Sequence, residues 1–345
     1  MLDSSISLVE PHLHSLLMSP GSLSSIKNAA RLLPRFAVNF FGFECRLGED
    51  AAATDCALNL TAEGARFLAG RHAQALPPEL RTDAWSRVQR FYEEWGDTRD
   101  GAYADAGATW LEFDSGPARI HPNLLFGYWP HETAVRRPMP WLLDVILPQL
   151  LGMPLSEKFR ANLLRCFDAC PSGTDDFQIG AMIARGIQAV RLCVFDIRPD
   201  ELPAFLSRAG WKGDLDEVRR YLEAFAPHAD FVGVHLDVGE MLFPQIGIEP
   251  GFTAGPWARQ PHLEPRWHGQ FNQLVERGLC TPARRDALLS FSGYQHVPMD
   301  GEEKLVLLRG LSHLKVTLRP GVSPLAKAYF GVAHRAARTG TDATS

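Results

Sequence analysis

Short runs of alternating apolar and polar residues recur in pairs along the chain, and segments with helical periodicity flank each pair. The first pair occupies residues 36–47 and 54–61, between helical patterns at 22–33 and 62–76. A period of two residues indicates a strand and a period of 3.6 residues indicates a helix. This stretch therefore predicts the order helix, strand, strand, helix.

The same order recurs four more times before the end of the chain. The predicted later units are helix 78–95, strands 108–115 and 123–129, helix 139–151; helix 155–170, strands 178–185 and 189–197, helix 199–210; helix 214–227, strands 230–239 and 244–252, helix 263–278; and helix 281–291, strands 293–298 and 313–320, helix 323–337. One αββα unit cannot bury its own sheet, whereas five units can close a ring without exposed edges. We expect an α+β fold in which five αββα repeats close a ten-stranded antiparallel β-barrel surrounded by helices.

The repeats favour a single domain over residues 1–337, followed by a flexible polar tail at 338–345. The Pro- and Trp-rich stretch 250–266 is interpreted as a long loop within the fourth unit. An open α+β sandwich and a two-domain arrangement remain the alternatives.

Composition restricts the class of protein further. The chain has 345 residues, 46% hydrophobic and 22% charged, which is typical of a globular protein and excludes a disordered chain. A net charge of −5 argues against a general nucleic-acid binder. No apolar run reaches the about 20 residues that span a bilayer, the first residues lack a basic signal-peptide region, and the six cysteines are too sparse for a disulfide framework. We therefore expect a cytoplasmic protein with no membrane span.

Strand alternation also predicts which side chains face the barrel interior. With the apolar set turned toward the helices, the interior set contains five acids, four bases, two histidines and a tryptophan: Glu44, Glu112, Asp114, Asp237, Glu249, Arg46, Arg191, Lys315, Arg319, His235, His313 and Trp110. A filled core could not hold these charges, because an unpaired buried charge costs several kcal/mol. The pattern favours an interior that encloses a ligand or water, and the alternative is an open sheet with one solvated face.

At this point the chain resembles the aromatic prenyltransferases of the ABBA (PT-barrel) type. The resemblance covers nearly the whole chain through its five repeats, and locally FGFECRLG (residues 41–48) is similar to the first hairpin of the indole prenyltransferases. It implies a barrel in which an allylic diphosphate meets an aromatic or peptide acceptor. The strand glutamate that serves those enzymes as acceptor-side base corresponds to Glu44 here, and the absence of a DDxxD motif is compatible with the family.

The resemblance also implies a basic cradle for the diphosphate. Arg46, Arg191, Lys315 and Arg319 are the matching cations, with Lys327 and Tyr329 just beyond the last predicted strand. Trp110, Phe195 or Tyr329 would shield the carbocation, and Mg²⁺ is a candidate companion of the diphosphate. The family's repeated Lys-x-Tyr pairs are replaced by WLEFD in the second unit and by HLDVG and IGIEP in the fourth.

Three functions follow from these residues. The first is prenyl transfer, with Glu44 as the base. The second is a barrel that does not bind diphosphate and instead binds or modifies a peptide or other cationic ligand. The carboxylates that would contact this ligand are Glu112, Asp114, Asp237 and Glu249, and Glu112 is the catalytic candidate among them. The third is a non-catalytic accessory protein that binds a partner protein. The sequence contains no GxSxG, GxGxxG or GxxxxGK[ST] motif, which argues against nucleophile-elbow hydrolases and nucleotide-binding folds.

Overall fold

The computed structural model describes residues 2–48, 53–97, 109–115, 120–129, 139–174, 176–298 and 303–338. Within these ranges the strands are β1 (Val38–Arg46), β2 (Thr54–Leu60), β3 (Thr109–Phe113), β4 (Asn123–Tyr128), β5 (Phe177–Ala181), β6 (Val190–Ile197), β7 (Phe231–Val238), β8 (Leu242–Gly251), β9 (Gly293–Pro298), β10 (Glu303–Arg319) and β11 (Val322–Arg338).

The helices separate consecutive strand pairs. They are α1 (Leu2–Val9), α2 (Pro20–Ala30), α3 (Ala62–Leu68), α4 (Asp83–Asp97), α5 (Leu147–Leu151, preceded by a π-helical turn Trp141–Ile146), α6 (Glu157–Asp168), α7 (Leu202–Ala209), α8 (Leu215–Phe225), α9 (Arg266–Glu276) and α10 (Pro282–Leu289). Across the ranges that the structure describes, no helix combines the length and the apolar character needed to cross a membrane.

Ten strands close a ring of antiparallel hydrogen bonds. Strands β1 to β8 pair in sequence order, β8 pairs with β10, β10 with β11, and β11 returns to β1. The ring closes through pairs such as Phe41 with Val332 and Phe43 with Phe330. The predicted fold, a closed ten-stranded antiparallel barrel surrounded by helices, is confirmed.

Apolar side chains on the outer face of the barrel hold the helices. Along β7, Val232, Val234, Leu236 and Val238 are all fully buried, as their alternation predicts. The aromatic face of α4 packs on the neighbouring strands, with the ring centroids of Phe91 and Phe126 5.0 Å apart. Burial of this kind contributes about 25 cal/mol per Å² of apolar surface and fixes the barrel wall.

The predicted helix 323–337 is wrong, because this segment forms strand β11. Its alanines favour a helix locally, but Ala326, Ala328 and Phe330 are buried whereas Lys327 and Tyr329 alternate with them on the other face. Hydrogen-bonded neighbours on both sides override the local propensity. The fifth unit therefore supplies β10 and β11 to the ring, and β9 is an additional strand that pairs with β10 at residues 304–309.

The remaining differences are at the chain ends and the element boundaries. Helix α1 is not predicted by the sequence pattern, and α3 ends at Leu68 instead of residue 76. Arg338 of the predicted tail ends β11, and residues 339–345 lie outside the described residues.

The loop between β8 and α9 (residues 252–265, the β8–α9 loop) is fixed to the barrel by Gln260. The Gln260 side-chain oxygen accepts from the Leu311 N–H at 2.8 Å, and its Nε2 donates to the Leu311 carbonyl at 2.9 Å. Gly310 makes room for this amide, since a Cβ there would lie 2.6 Å from Gln260 Oε1. The Trp267 indole N–H donates to the Arg259 carbonyl at 2.5 Å, so the loop holds Arg259 at a defined place.

Candidate functional site

A cavity of about 290 Å³ lies within the barrel. Much of its wall is aromatic, formed by Phe40, Trp110, Phe195, Phe231, Phe252 and Tyr329. Its ionisable and amide lining comprises Glu112, Asp176, Gln178, Arg191, Asp196, His235, Glu249, Arg259, His313 and Lys315. A cavity of this kind, with an aromatic wall and ionisable groups directed into it, is typical of a small-molecule site.

The first polar cluster joins β1 to β11 around Glu44. Lys327 Nζ donates to Glu44 Oε1, and the Tyr329 hydroxyl donates to Glu44 Oε2. Burial raises the pKa of Glu44, but the charges of Lys327 and Lys315 outweigh it and hold that pKa well below its ordinary value. Burial and the Glu44 charge raise the pKa of Tyr329, so its phenol stays protonated. Tyr329 lines the cavity, whereas Glu44 and Lys327 do not.

The second polar cluster lies on β6, β7, β8 and β10 around Glu249. Glu249 Oε2 lies 3.0 Å from His235 Nε2 and 3.5 Å from His313 Nε2. His235 Nδ1 lies 3.1 Å from Cys193 Sγ, and His313 Nδ1 lies 3.0 Å from Ser312 Oγ. The cluster therefore gives Glu249 two imidazole partners, each oriented by a second contact.

Burial sets the protonation of the Glu249 cluster. It raises the pKa of Glu249 to about 7, against the lowering effect of Lys315 and Arg259. Burial, followed by the positive charge of Lys315, holds the pKa values of His235 and His313 well below the ordinary value. Burial also raises the pKa of Cys193 to about 12, so this residue is a thiol at neutral pH.

Lys315 is a buried cation on β10 that faces the cavity. Only 8% of the residue is exposed, and its Nζ lies 4.5 Å from the centroid of the Tyr329 ring. His313 stacks on the same ring at 4.0 Å. Gly247 on β8 lies beside Lys315, since a Cβ there would be 3.0 Å from Lys315 Cδ. Within the described ranges Lys315 Nζ has no carboxylate oxygen within ion-pair distance, and burial lowers its pKa.

Two arginines on β6 and in the turn before it form ion pairs. Arg191 Nε donates to Asp237 Oδ1 at 3.0 Å, and Arg191 also lines the cavity. Burial lowers the pKa of Arg191, but the charge of Asp237 outweighs it and the net shift is upward. Arg185 pairs with Asp114 at 2.8 and 2.5 Å, with about a third of each side chain exposed, and its hydrogen bond lowers the pKa of Asp114. Asp237 and Asp114 are therefore bound to arginines, and neither lines the cavity.

Glu112 and Trp110 on β3 face the cavity as the alternation predicts. Burial and the Glu44 charge raise the pKa of Glu112, whereas Lys315 and Arg191 oppose this. Trp110 makes an edge contact with Phe40 at 5.6 Å between ring centroids.

Arg46 and Arg319 do not line the cavity, contrary to the interior positions expected for them. Both are exposed, since Arg46 is the last residue of β1 and Arg319 is the last residue of β10 before the turn at Gly321. The alternation predicts the face of each residue correctly, but both residues lie at strand ends, where the side chains project past the cavity toward solvent. Their contact with a diphosphate stays a prediction.

Sequence reasoning missed Arg259, which reaches the cavity from the β8–α9 loop. Its Nε is buried and has no hydrogen-bond partner among the described residues. Burial lowers its pKa, whereas Glu249 raises it. Strand alternation could not find a loop residue, and the one available signal was the length and Trp/Pro content of this loop. No group of three or more His, Cys, Asp or Glu side chains in the part of the chain described here is arranged to hold a metal ion.

Comparison with known proteins finds similar folds among solved structures. No protein-family model matches the chain, and no curated protein matches it in sequence. The prenyltransferase PriB in complex with L-tryptophan and dimethylallyl thiolodiphosphate is 11% identical, with a TM-score of 0.53 over 95% of this chain and 96% of PriB. PriB with product diphosphate is 12% identical with the same TM-score and coverage, and AnaPT from Neosartorya fischeri is 11% identical with a TM-score of 0.43 over 84% of this chain and 78% of AnaPT. At these identities the likeness is one of fold, and the chain has the PT-barrel fold of the prenyltransferase PriB.

Proposed function

We propose that this barrel transfers a prenyl group from an allylic diphosphate to an aromatic acceptor held in the cavity. The observation that carries the proposal is the pair of cations, Lys315 and Arg259, that face an aromatic-walled cavity. The solved PriB complexes supply the analogy, since that barrel binds product diphosphate and a prenyl thiolodiphosphate.

The positive charges at the cavity support a binding position for the diphosphate beside Lys315. Lys315 contacts a tyrosine ring instead of a carboxylate, and Arg259 has a buried Nε–H without a partner among the described residues. Buried donors of this kind gain most from an anionic ligand, because hydrogen bonds between charged groups are about twice as strong as neutral ones. Arg191 adds a third cation whose charge Asp237 balances.

The aromatic wall supports a carbocation. The Tyr329 ring already lies against the Lys315 ammonium at 4.5 Å, and His313 stacks on the same ring, so the shielding of a carbocation falls to the other rings of the wall. Trp110 and Phe195 line the same space. At about 290 Å³ the cavity lies just below the range of about 300–1,000 Å³ for ligand sites, which favours a short prenyl chain such as dimethylallyl.

A second candidate rests on the carboxylates. Glu112 and Glu249 face the cavity, and Asp176 and Asp196 also line it. This observation favours a cationic peptide or amine ligand. The raised pKa of Glu112 reconciles this acid with a diphosphate, because Glu112 can take up a proton as the anion enters.

Calorimetric titration with dimethylallyl, geranyl and farnesyl diphosphate, with and without Mg²⁺, separates the two candidates. We expect micromolar binding of dimethylallyl diphosphate that weakens by about tenfold or more in Lys315→Met and in Arg259→Met, because each variant removes one charge-assisted contact. Arg198→Met, at an exposed arginine, is the matched control.

Absence of binding to all three diphosphates would overturn prenyl transfer. A short lysine-rich peptide is then the decisive probe: binding that weakens in Glu112→Gln would establish the second candidate in its place.

A further inference from the structure

We propose that Glu249 binds the ring N–H or phenolic O–H of the acceptor and takes its proton during transfer. This inference rests on the proposed function and defines its acceptor class as a neutral aromatic compound that carries such a donor. It assigns Glu249 the role that the resemblance gives to Glu44.

Glu44 is poorly placed for this role. Lys327 and Tyr329 occupy both of its carboxylate oxygens, and neither Glu44 nor Lys327 lines the cavity. A general base must come within hydrogen-bond reach of the proton it takes. An acceptor would have to displace an ion pair and a tyrosine before it could reach Glu44.

Glu249 faces the cavity and its contacts leave it able to accept. Both imidazoles approach Oε2, so Oε1 is outside these two contacts. Among the residues described, Glu249 has no lysine or arginine nitrogen within ion-pair distance. A carboxylate held by neutral imidazoles keeps more basicity than one held by a lysine, because no full positive charge stabilises its ionised form.

Cys193 orients the nearer imidazole. As a thiol, Cys193 donates to His235 Nδ1, which leaves the ring proton on Nε2 to be donated to Glu249 Oε2. His235 and Cys193 are thus positioning residues that fix the Glu249 carboxylate in one rotamer. Three neighbouring strands supply the set, since Cys193 pairs with His235 across β6 and β7, and Glu249 lies opposite Gly233 across β7 and β8.

The reaction balances with no further reactant. The bond between prenyl C1 and the diphosphate oxygen breaks, and its electron pair leaves on the diphosphate. The acceptor forms a new bond to C1, and its N–H or O–H proton passes to the Glu249 carboxylate. When the new bond is at a ring carbon, the hydrogen on that carbon then moves to the heteroatom as the ring regains aromaticity. Prenylated acceptor, diphosphate and one proton are the products.

The charged and titratable groups that face Glu249 define its pH response. They are His235 on β7, His313 and Lys315 on β10, and Arg259 in the β8–α9 loop. The two histidines are neutral at neutral pH because their pKa values are well below the ordinary one. The ionisation of Glu249, with a pKa of about 7, therefore dominates the change between about pH 5.5 and about pH 8.

The test uses the full chain with dimethylallyl diphosphate and two acceptor probes, indole and phenol, with product measured by mass spectrometry. In Glu249→Gln we expect kcat to fall by about 100-fold, because general-base catalysis contributes about 10²- to 10⁴-fold, and the acid limb of the kcat profile near pH 7 to disappear. Glu249→Asp keeps the carboxylate and should keep that limb at a reduced rate. Glu223→Gln, an exposed glutamate on α8, is the matched control.

Donor binding separates this inference from the proposed function. Glu249→Gln should bind dimethylallyl diphosphate within about threefold of wild type and unfold cooperatively, since Gln is nearly isosteric. If the donor binds but Glu249→Gln keeps the wild-type kcat and pH limb, Glu249 is not the base. If the donor binds but neither probe is prenylated, the acceptor class is wrong. If the donor does not bind to wild type, both proposals are overturned.

Discussion

Glu44 and Glu249 are two buried glutamates of one barrel with opposite protonation behaviour. The pKa of Glu44 is held low by Lys327 and Lys315, whereas burial raises the pKa of Glu249 to about 7, and the direct partners of Glu249 are imidazoles instead of a lysine. Burial alone would raise both. The difference shows that the partner strands, β11 for Glu44 and β7 with β10 for Glu249, decide whether a barrel carboxylate stays ionised in an ion pair or has a pKa near neutrality.

The largest expected effect on stability comes from removing the lysine that pairs with Glu44. Lys327→Met leaves a buried carboxylate without its cation and should lower the free energy of unfolding by about 3–5 kcal/mol at neutral pH, measured by urea denaturation. Glu44→Gln introduced into that variant should recover most of the loss. A small cost for Lys327→Met alone would show that Tyr329 suffices to hold the charge.

Glu249→Gln should change the pH dependence of stability. The raised pKa of Glu249 means that the native state binds more protons than the unfolded state between the ordinary value of 4.5 and about 7, so its contribution to stability falls as pH rises through this range. The variant should therefore gain about 3 kcal/mol relative to wild type at about pH 8 and little at about pH 4. Parallel urea curves at both pH values check this, and an equal effect at the two would refute the raised pKa.

Gln260→Ala tests the contribution of the β8–α9 loop, which carries Arg259 to the cavity. It removes the amide that satisfies the buried Leu311 N–H and should cost about 1–3 kcal/mol. It should also weaken dimethylallyl diphosphate binding by several-fold, because Arg259 is no longer held toward the cavity. Gln273→Ala on α9 is the control, and unchanged donor affinity in Gln260→Ala would remove the loop from the site.

Arg185→Ala provides the smallest effect. Its pair with Asp114 is about one-third exposed, so solvent screens the interaction, and the loss should be less than about 1 kcal/mol in urea denaturation. Donor affinity should stay at the wild-type value, since Asp114 and Arg185 lie outside the cavity. A loss as large as that of Lys327→Met would mean that exposure does not separate the ion pairs of this barrel.

Much of the fold could be predicted because nearly every barrel strand carries its own alternation. Strand β7 is the clearest case, with four apolar residues on one face and His235 and Asp237 on the other. Strand β11 was predicted as a helix because alanine, which favours helices, occupies several of its outward positions. The pairing with β1 that makes this segment a strand joins residues far apart in the sequence, so no local pattern reports it.

The site was predicted in part for the same reason. Alternation placed Glu112, Arg191, Glu249 and Lys315 on the inner face, and the structure brings them to one cavity. It could not give the cross-strand register that sets Cys193 beside His235, because a shift of one residue changes every pairing. Arg259 lies in a loop, where no periodicity reports the direction of a side chain.

The pairing of β1 with β11 has a kinetic consequence. The Glu44–Lys327 contact joins residues 283 positions apart, and the two strands that form it are the first and the last of the ring. Proteins dominated by contacts between residues far apart in the sequence fold slowly. Closing the long loop between two such residues costs conformational entropy before their contact forms and stabilises the chain. During synthesis β1 can pair with β11 only after β11 has been made, and the cavity is formed when the last strand joins the first.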